Sequence, residues 1–276
     1  MTDLIDSVER CYDAIPRVGG ARVEPVGPFE LFLRDGIGWS YYARPRLGVT
    51  EASVADVDTV RARQREVGAP EAIEWVHDLI PALLPAVQAS GLSVVRAPLM
   101  VLDPTALPSV TTLTDATVEL LDPASPEFPD MWAQSRAVAA IGFGAGGTDV
   151  GLDGPAQRDA ALAPTEPDML DFVRRAMARP QRAEAVARTA AEGVVARGGT
   201  QGADDAVEIV GVATLPSARR RGLGAAVSAA LARYALDTGH RLIFLGAASE
   251  DVARVYARIG FRRIGTACIA EAAAAH

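Results

Sequence analysis

The sequence predicts an α/β fold built from two related units. Three observations lead there. Apolar patterns of period two alternate with patterns of helical period along most of the 276 residues. The chain also overlays on itself when Gly91 falls on Gly260: "AIEWV" then sits on "LIFLG" with a shift of one residue, "PALLPAVQASG" on "EDVARVYARIG", and "LSVVRAPLMVL" on "FRRIGTACIAE". Between these copies, residues 104–116 turn to Pro, Ser and Thr, the composition of a linker. The expected organisation is an N-terminal unit over 1–103, the linker at 104–116 and a C-terminal unit over 117–276.

The elements follow in order. Phe29–Pro45 has two β-rich halves around Asp35-Gly36, a hairpin signal. Ser53 is a plausible N-cap for a helix that Gly68 closes. Ala72–Val76 reads as a buried strand. The helix after it ends at Gly91; Pro81 suits its first turn, and Pro85 kinks it unless it starts later. "LSVVRAPLMVLD" is strand-like again.

Beyond the linker, "TVELLDP" starts a strand and Met131–Ala140 a helix. The glycines that follow include a formal G-x-G-x-x-G at Gly142, Gly144 and Gly147, but a helical pattern precedes it where a dinucleotide site needs a strand. A surface loop is expected there. "EPDMLDFVRRAMA" is a helix with charges ordered to suit its dipole. "AEAVARTAAEGVVARGG" is either two strands around a turn or, on its alanine content, a helix. Strand, helix, strand, helix and strand complete the chain from Ala206.

Composition excludes several classes. A formal charge of −8 argues against a general nucleic-acid binder. Every basic residue is arginine, so no lysine is there to form a Schiff base. Cys11 and Cys268 have neither metal nor disulfide spacing and read as inert thiols. His77, His240 and His276 show no catalytic pairing, and His240 is expected to cap or follow the Gly239 turn. The first eighteen residues do not read as a signal peptide, and no run reaches the roughly 20 apolar residues of a membrane span. A cytoplasmic protein is expected.

"ARRRGLGAAV", Ala218–Val227, stands between a strand ending near Leu215 and a helix starting near Gly222. Unpaired N–H groups at a helix start attract anions, and Gly222 and Gly224 let a pyrophosphate approach the backbone. Arg219, Arg220 and Arg221 add charged donors. The stretch lacks the lysine of a Walker A loop and the third glycine of the dinucleotide fingerprint. It does match R/Q-x-x-G-x-G/A at Arg219, Gly222 and Gly224, after the strand end "VATLP". A second signature, N-x-x-A-x-x-x-Y-x-x-x-G-F, is matched at Tyr256, Gly260 and Phe261; Ser249 and Val252 replace its first two residues.

In these features the chain resembles the GNAT superfamily of acyl-CoA-dependent N-acetyltransferases over Val207–Glu271, and in fold order from about Thr117. The N-terminal unit resembles a degraded copy without the glycine loop, with Val87 where the second copy has Tyr256. The resemblance implies two units, each a mixed sheet flanked by helices. It implies that the backbone from Arg219 through Leu223 to Ala225 cradles the pyrophosphate of acetyl-CoA. Val210–Leu215 would splay from its neighbour, with Val212, Ala213 and Thr214 along the pantetheine arm, the acetyl carbonyl near Val212 and Ala213 where a backbone N–H would polarise it, and Ser249 at a further contact. Tyr256 would protonate the departing thiolate, and no metal is implied.

Glu208 is the first choice as general base and Glu192 the second. The acceptor would be a small-molecule or peptide amine, with no nucleic acid or membrane as partner. The N-terminal unit would be non-catalytic, serving the acceptor pocket or a homodimer. An acyl-CoA sensor without catalysis is the alternative, and transfer of a longer acyl chain a third reading.

Overall fold

The structure is a computed structural model that describes residues 2–109 and 113–272. Linker residues 110–112 and His276 fall outside the described residues. The chain forms two units by its internal contacts. One takes the chain up to Met100, with Gly246–Ser249 and the residues from Arg263 on; the other takes Val101–Leu245 and Glu250–Arg262.

The first unit opens with helix α1 (Thr2–Val18), an element beyond those expected from the sequence. Ile5, Val8, Tyr12 and Ile15 are buried along one side, at spacings of three and four. β1 (Arg22–Val26) and β2 (Phe29–Leu33) form an antiparallel hairpin around Gly27-Pro28. This corrects the hairpin expected at Asp35-Gly36. β2 does pair with β3, but β3 is only Arg44–Pro45, and Asp35-Gly36 lies in the irregular connection.

α2 (Val54–Glu66) begins as expected. Ser53 Oγ accepts from Asp56 N–H at 3.2 Å, and Asp56 accepts from Ser53 N–H at 2.8 Å, a reciprocal capping box. β4 (Ala72–Val76) follows. α3 (Leu83–Ala89) starts late enough to place Pro85 in its first turn, where a missing N–H costs no helical bond. β5 (Leu92–Leu102) closes the first copy. Phe29, Leu31, Val57, Val60, Ile73, Trp75, Leu83 and Val87 share one apolar core.

A charged cluster is buried in this unit as well. Arg44 is 1% exposed and pairs with Glu9 and Glu74, each at 2.8 Å. Its guanidinium lies 4.6 Å from the Tyr12 ring centroid. Burial alone would lower the Arg44 pKa, but Glu9 and Glu74 outweigh it and hold the guanidinium protonated. Burial pushes the Glu9 carboxyl above its ordinary range, against the pull of Arg44.

In the second unit, β6 (Thr117–Leu120) leads into α4 (Phe128–Gly144), α5 (Pro155–Ala160) and α6 (Pro167–Met177). β7 (Glu184–Thr189) and β8 (Gly193–Ala203) pair antiparallel, which settles 184–203 as two strands. β9 (Ala206–Thr214), α7 (Leu223–Asp237), β10 (Leu242–Gly246) and α8 (Glu250–Ala257) follow. The strands of this unit lie in the order β10-β9-β8-β7-β6, and only β10 runs parallel to its neighbour.

α4 covers one face of this sheet. α7 covers the other, burying Val227 and Leu231 over Gly198 of β8. Each such side chain contributes about 1.5–3 kcal/mol by leaving water. His240 closes α7: its N–H and its ring Nδ1–H both donate to the Ala235 carbonyl, each at 3.0 Å.

The last strand is β11 (Phe261–Ala272). From Arg263 on it groups with the first unit, antiparallel to β4, with Ala267 opposite Val76 and Glu271 opposite Ala72. The order there is β4-β11-β5, so the closing strand of the second copy stands inside the first. No helix among the described residues is long and apolar enough to cross a membrane.

Candidate active site

β9 is the candidate strand because it is paired on one side only over its second half. β10 pairs with it at Ala206, Val207 and Glu208, opposite Leu242, Ile243 and Phe244. From Ile209 to Thr214 no rung to β10 forms, although β10 continues to Gly246. The strands part there and leave backbone N–H and C=O groups on an open edge. Such an edge can pair with an extended ligand arm.

On its other side β9 carries a bulge. Gly199 stands opposite Val210 and Arg197 opposite Ala213, so Gly211 and Val212 face the single residue Gly198. Gly211 sits at φ +62°, the left-handed conformation of a G1-type bulge. Cross-strand partners share a face. Arg197, Gln201 and Glu184 therefore lie on the same face as Ala213, Glu208 and Val210, and Arg197 contacts Ser135 of α4 on that face. Val212 is turned to α7, within reach of Gly224.

After Leu215 a short 3-10 turn, Pro216–Ala218, leads to the arginines. Arg220 (φ +67°) and Gly222 (φ +79°) are both left-handed. A left-handed arginine costs roughly 1–3 kcal/mol, a strain that collects at ligand-binding turns. α7 then starts at Leu223 with no side-chain cap from Gly222. Its first-turn N–H groups lack a side-chain acceptor of the kind Ser53 gives α2. Left-handed turns, an uncapped helix start and two residues without Cβ fit a diphosphate.

The three guanidinium groups have different settings. Arg219 donates to the carbonyls of Gly142 (2.9 Å), Gly146 (2.9 Å) and Asp149 (3.2 Å), which pins the glycine-rich loop after α4. Arg221 pairs with Glu192 at 2.9 Å and Asp115 at 2.6 Å. Arg220 is exposed. The backbone, more than the side chains of Arg219 and Arg221, is therefore presented to a ligand. Gly142 and Gly144 end a helix, and no strand precedes their motif.

Tyr256 is 7% exposed and packs edge-on against Phe261, ring centroids 6.0 Å apart. Burial pushes its phenol up to about 12, and a hydrogen bond with Ser228 offsets part of that rise. The phenol therefore stays a proton-bearing donor well past neutral pH. Ser228, buried on α7, donates to the Gly224 carbonyl at 2.9 Å. It thus stands between the neighbourhood of the tyrosine and the first turn of the glycine helix. The sequence reading passed over Ser228; its signal was a lone hydroxyl four residues after Gly224 in an alanine-rich helix.

Glu208 sits on the last rung before the strands part. It is 8% exposed and accepts from Gln201 Nε2 at 2.8 Å. Glu192 lies in the β7–β8 turn and is committed to Arg221. Ser249 is an exposed residue just before α8. Cys11 and Cys268 are both buried, and burial pushes the Cys268 thiol up to about 11, away from nucleophilic character.

Residues 186–270 match the family model described as FR47-like protein. No curated protein matches the chain at a significant level. Among solved structures, a GCN5-related N-acetyltransferase from Kribbella flavida is 23% identical with a TM-score of 0.68, covering 99% of this chain and 96% of that one. A GCN5-related N-acetyltransferase-like protein from Streptococcus suis is 14% identical with a TM-score of 0.54, covering 98% and 99%. A tandem GNAT protein from the clavulanic acid biosynthesis pathway is 16% identical with a TM-score of 0.51, covering 95% and 89%. At these identities the likeness is one of fold. The chain has the α/β fold of the GCN5-related N-acetyltransferases, and its second copy carries the FR47-like match.

Proposed function

We propose that the second unit moves an acetyl group from acetyl-CoA to a primary amine by direct attack. The observation that carries this reading is the parting of β9 from β10 beside the left-handed, uncapped start of α7. Acetyl-CoA supplies a thioester that an amine can attack. The chain's N–H groups from Arg219 to Ala225 would hold the pyrophosphate, and the open edge of Val212, Ala213 and Thr214 the extended arm.

Glu208 and Tyr256 belong to opposite sides of the sheet. Glu208 shares the face of α4, and Tyr256 neighbours Ser228 on α7. An acceptor entering on the α4 side would meet the carboxylate, and the leaving thiolate the phenol. Glu208 takes a proton from the amine through water, and Tyr256 donates to the sulfur. Replacing Glu208 with Gln should lower kcat/KM about 10²-fold at neutral pH. The loss should shrink at high pH, where the amine is neutral unaided. A loss that is the same at every pH contradicts the base role.

A specific observation also favours a second reading, an acyl-CoA-binding module without turnover: Tyr256 is buried, only 7% exposed. The test that separates the two is CoA release across a panel of amines and acyl-CoAs, run beside calorimetric titration with acetyl-CoA. Binding with release supports transfer. Binding without release from any amine supports the module.

A further inference from the structure

The buried group above the bulge has no place in the reaction as derived so far. Arg197, on β8, spends its guanidinium on three partners. Nη1 donates to the Gly211 carbonyl at 2.8 Å, Nε to Ser135 Oγ of α4 at 3.1 Å, and Nη2 to Glu184. Ser135 is 0% and Glu184 1% exposed, so both anchors are fixed. Arg182 is a second cation on Glu184, at 3.5 Å. Cβ atoms built at Gly211 and Gly199 would run into Arg197 and Glu184 respectively, so the glycines on both strands make room for this pair.

The peptide after Gly211 is trans, since the chain has no cis bonds among the described residues. In a trans peptide the carbonyl and the following N–H point in opposite directions. With the Gly211 carbonyl held under Arg197 on the α4 face, the N–H of Val212 points away from that face. We propose that Arg197 is a positioning residue of the acyl-transfer site: by gripping the bulge carbonyl it fixes the direction of the Val212 N–H that polarises the acyl carbonyl.

This inference rests on the function proposed above and adds a residue to it. The grip is three-way, with one arm on the backbone and the others on Glu184 and Ser135, a geometry that suits a planar guanidinium better than an ammonium. Its action is on orientation, with no proton moved and no bond made by Arg197 itself. A preoriented donor at a developing oxyanion is worth about 10²–10³-fold in rate.

The test reads the carbonyl directly. Acetyl-CoA labelled with ¹³C at the acetyl carbonyl is bound to the native chain, to Arg197→Lys and to the double variant Arg197→Met/Glu184→Gln, which removes both buried charges together. Infrared difference spectra and calorimetric affinities are recorded for each. The native chain should shift the carbonyl band to lower frequency. The double variant should lose that shift while holding coenzyme A within about threefold, because the α7 loop is untouched. Arg197→Lys should show an intermediate shift.

A full native shift in Arg197→Lys and in a folded double variant overturns the role of Arg197 and leaves the acetyltransferase reading standing. Should the double variant not fold, a full native shift in Arg197→Lys decides against the role by itself. Failure of the native chain to bind either ligand overturns both the inference and the reading beneath it.

Discussion

Replacing Tyr256 with Phe should leave acetyl-CoA binding within a few-fold of native and reduce kcat by about 10²–10⁴. The substitution removes one hydroxyl and keeps the ring that packs on Phe261. Its partner Ser228 keeps its own bond to the Gly224 carbonyl, so the glycine helix loses no anchor. The pH dependence follows from the raised phenol. Burial lifts Tyr256 from 10.0 to about 12, so it remains protonated, and able to donate, across the neutral and mildly alkaline range. A fall in kcat between pH 8 and 10 would then come from another group and should persist in the phenylalanine variant. Steady-state rates with a reactive amine, beside a titration of both proteins with acetyl-CoA, check this. Equal turnover in the two proteins would remove Tyr256 from the chemistry.

Replacing Arg44 with Met should destabilise the chain by about 3–5 kcal/mol, the cost of leaving buried carboxylates without their cation. Glu9 and Glu74 both rely on this guanidinium, and Tyr12 packs on its face. Because burial raises Glu9 above 4.5, its ordinary value, the folded state holds that proton more tightly than the unfolded chain. The contribution of Glu9 is therefore full below pH 4.5 and is lost as pH rises toward its folded value. Glu9→Gln should flatten that fall. Denaturant unfolding of native, Arg44→Met and Glu9→Gln chains over a pH series measures both effects. An Arg44→Met midpoint matching native would show that the cluster is not a stability element.

Much of the second copy was legible because each of its elements carries a local cause. Strands Ala206–Thr214 and Leu242–Gly246 have dense apolar runs, and Gly239 ends the helix between them. The capping box at Ser53 was visible for the same reason. The hairpin at Asp35-Gly36 failed because a turn dipeptide competes with the pairing available to its flanks. β2 found a closer partner in β1, across Gly27-Pro28.

Strand order is a property of tertiary packing, so β11 beside β4 could not be read from either strand alone. The setting of the arginine triplet is likewise a matter of tertiary packing. Spacing shows three cations at a helix start, but carbonyls and carboxylates brought in from Gly142–Asp149, Asp115 and Glu192 claim two of them. The bulge at Gly211 and its grip by Arg197 leave no sequence signature beyond a glycine inside a strand.

The central claim is that the start of α7 is the seat of acetyl-CoA, and calorimetric titration of the native chain against Gly222→Asp tests it most directly. Gly222 is exposed and left-handed, and a Cβ there meets nothing closer than Leu113 at 3.9 Å. Aspartate is among the side chains that tolerate this conformation, so the variant should fold, and matching thermal midpoints would verify that. Its carboxylate would stand where the pyrophosphate is expected. Native binding with saturable heat, lost or weakened at least a hundredfold in the folded variant, is the predicted result. Equal binding by both chains would place the cofactor elsewhere, and no binding by the folded native chain would contradict the acetyltransferase assignment itself.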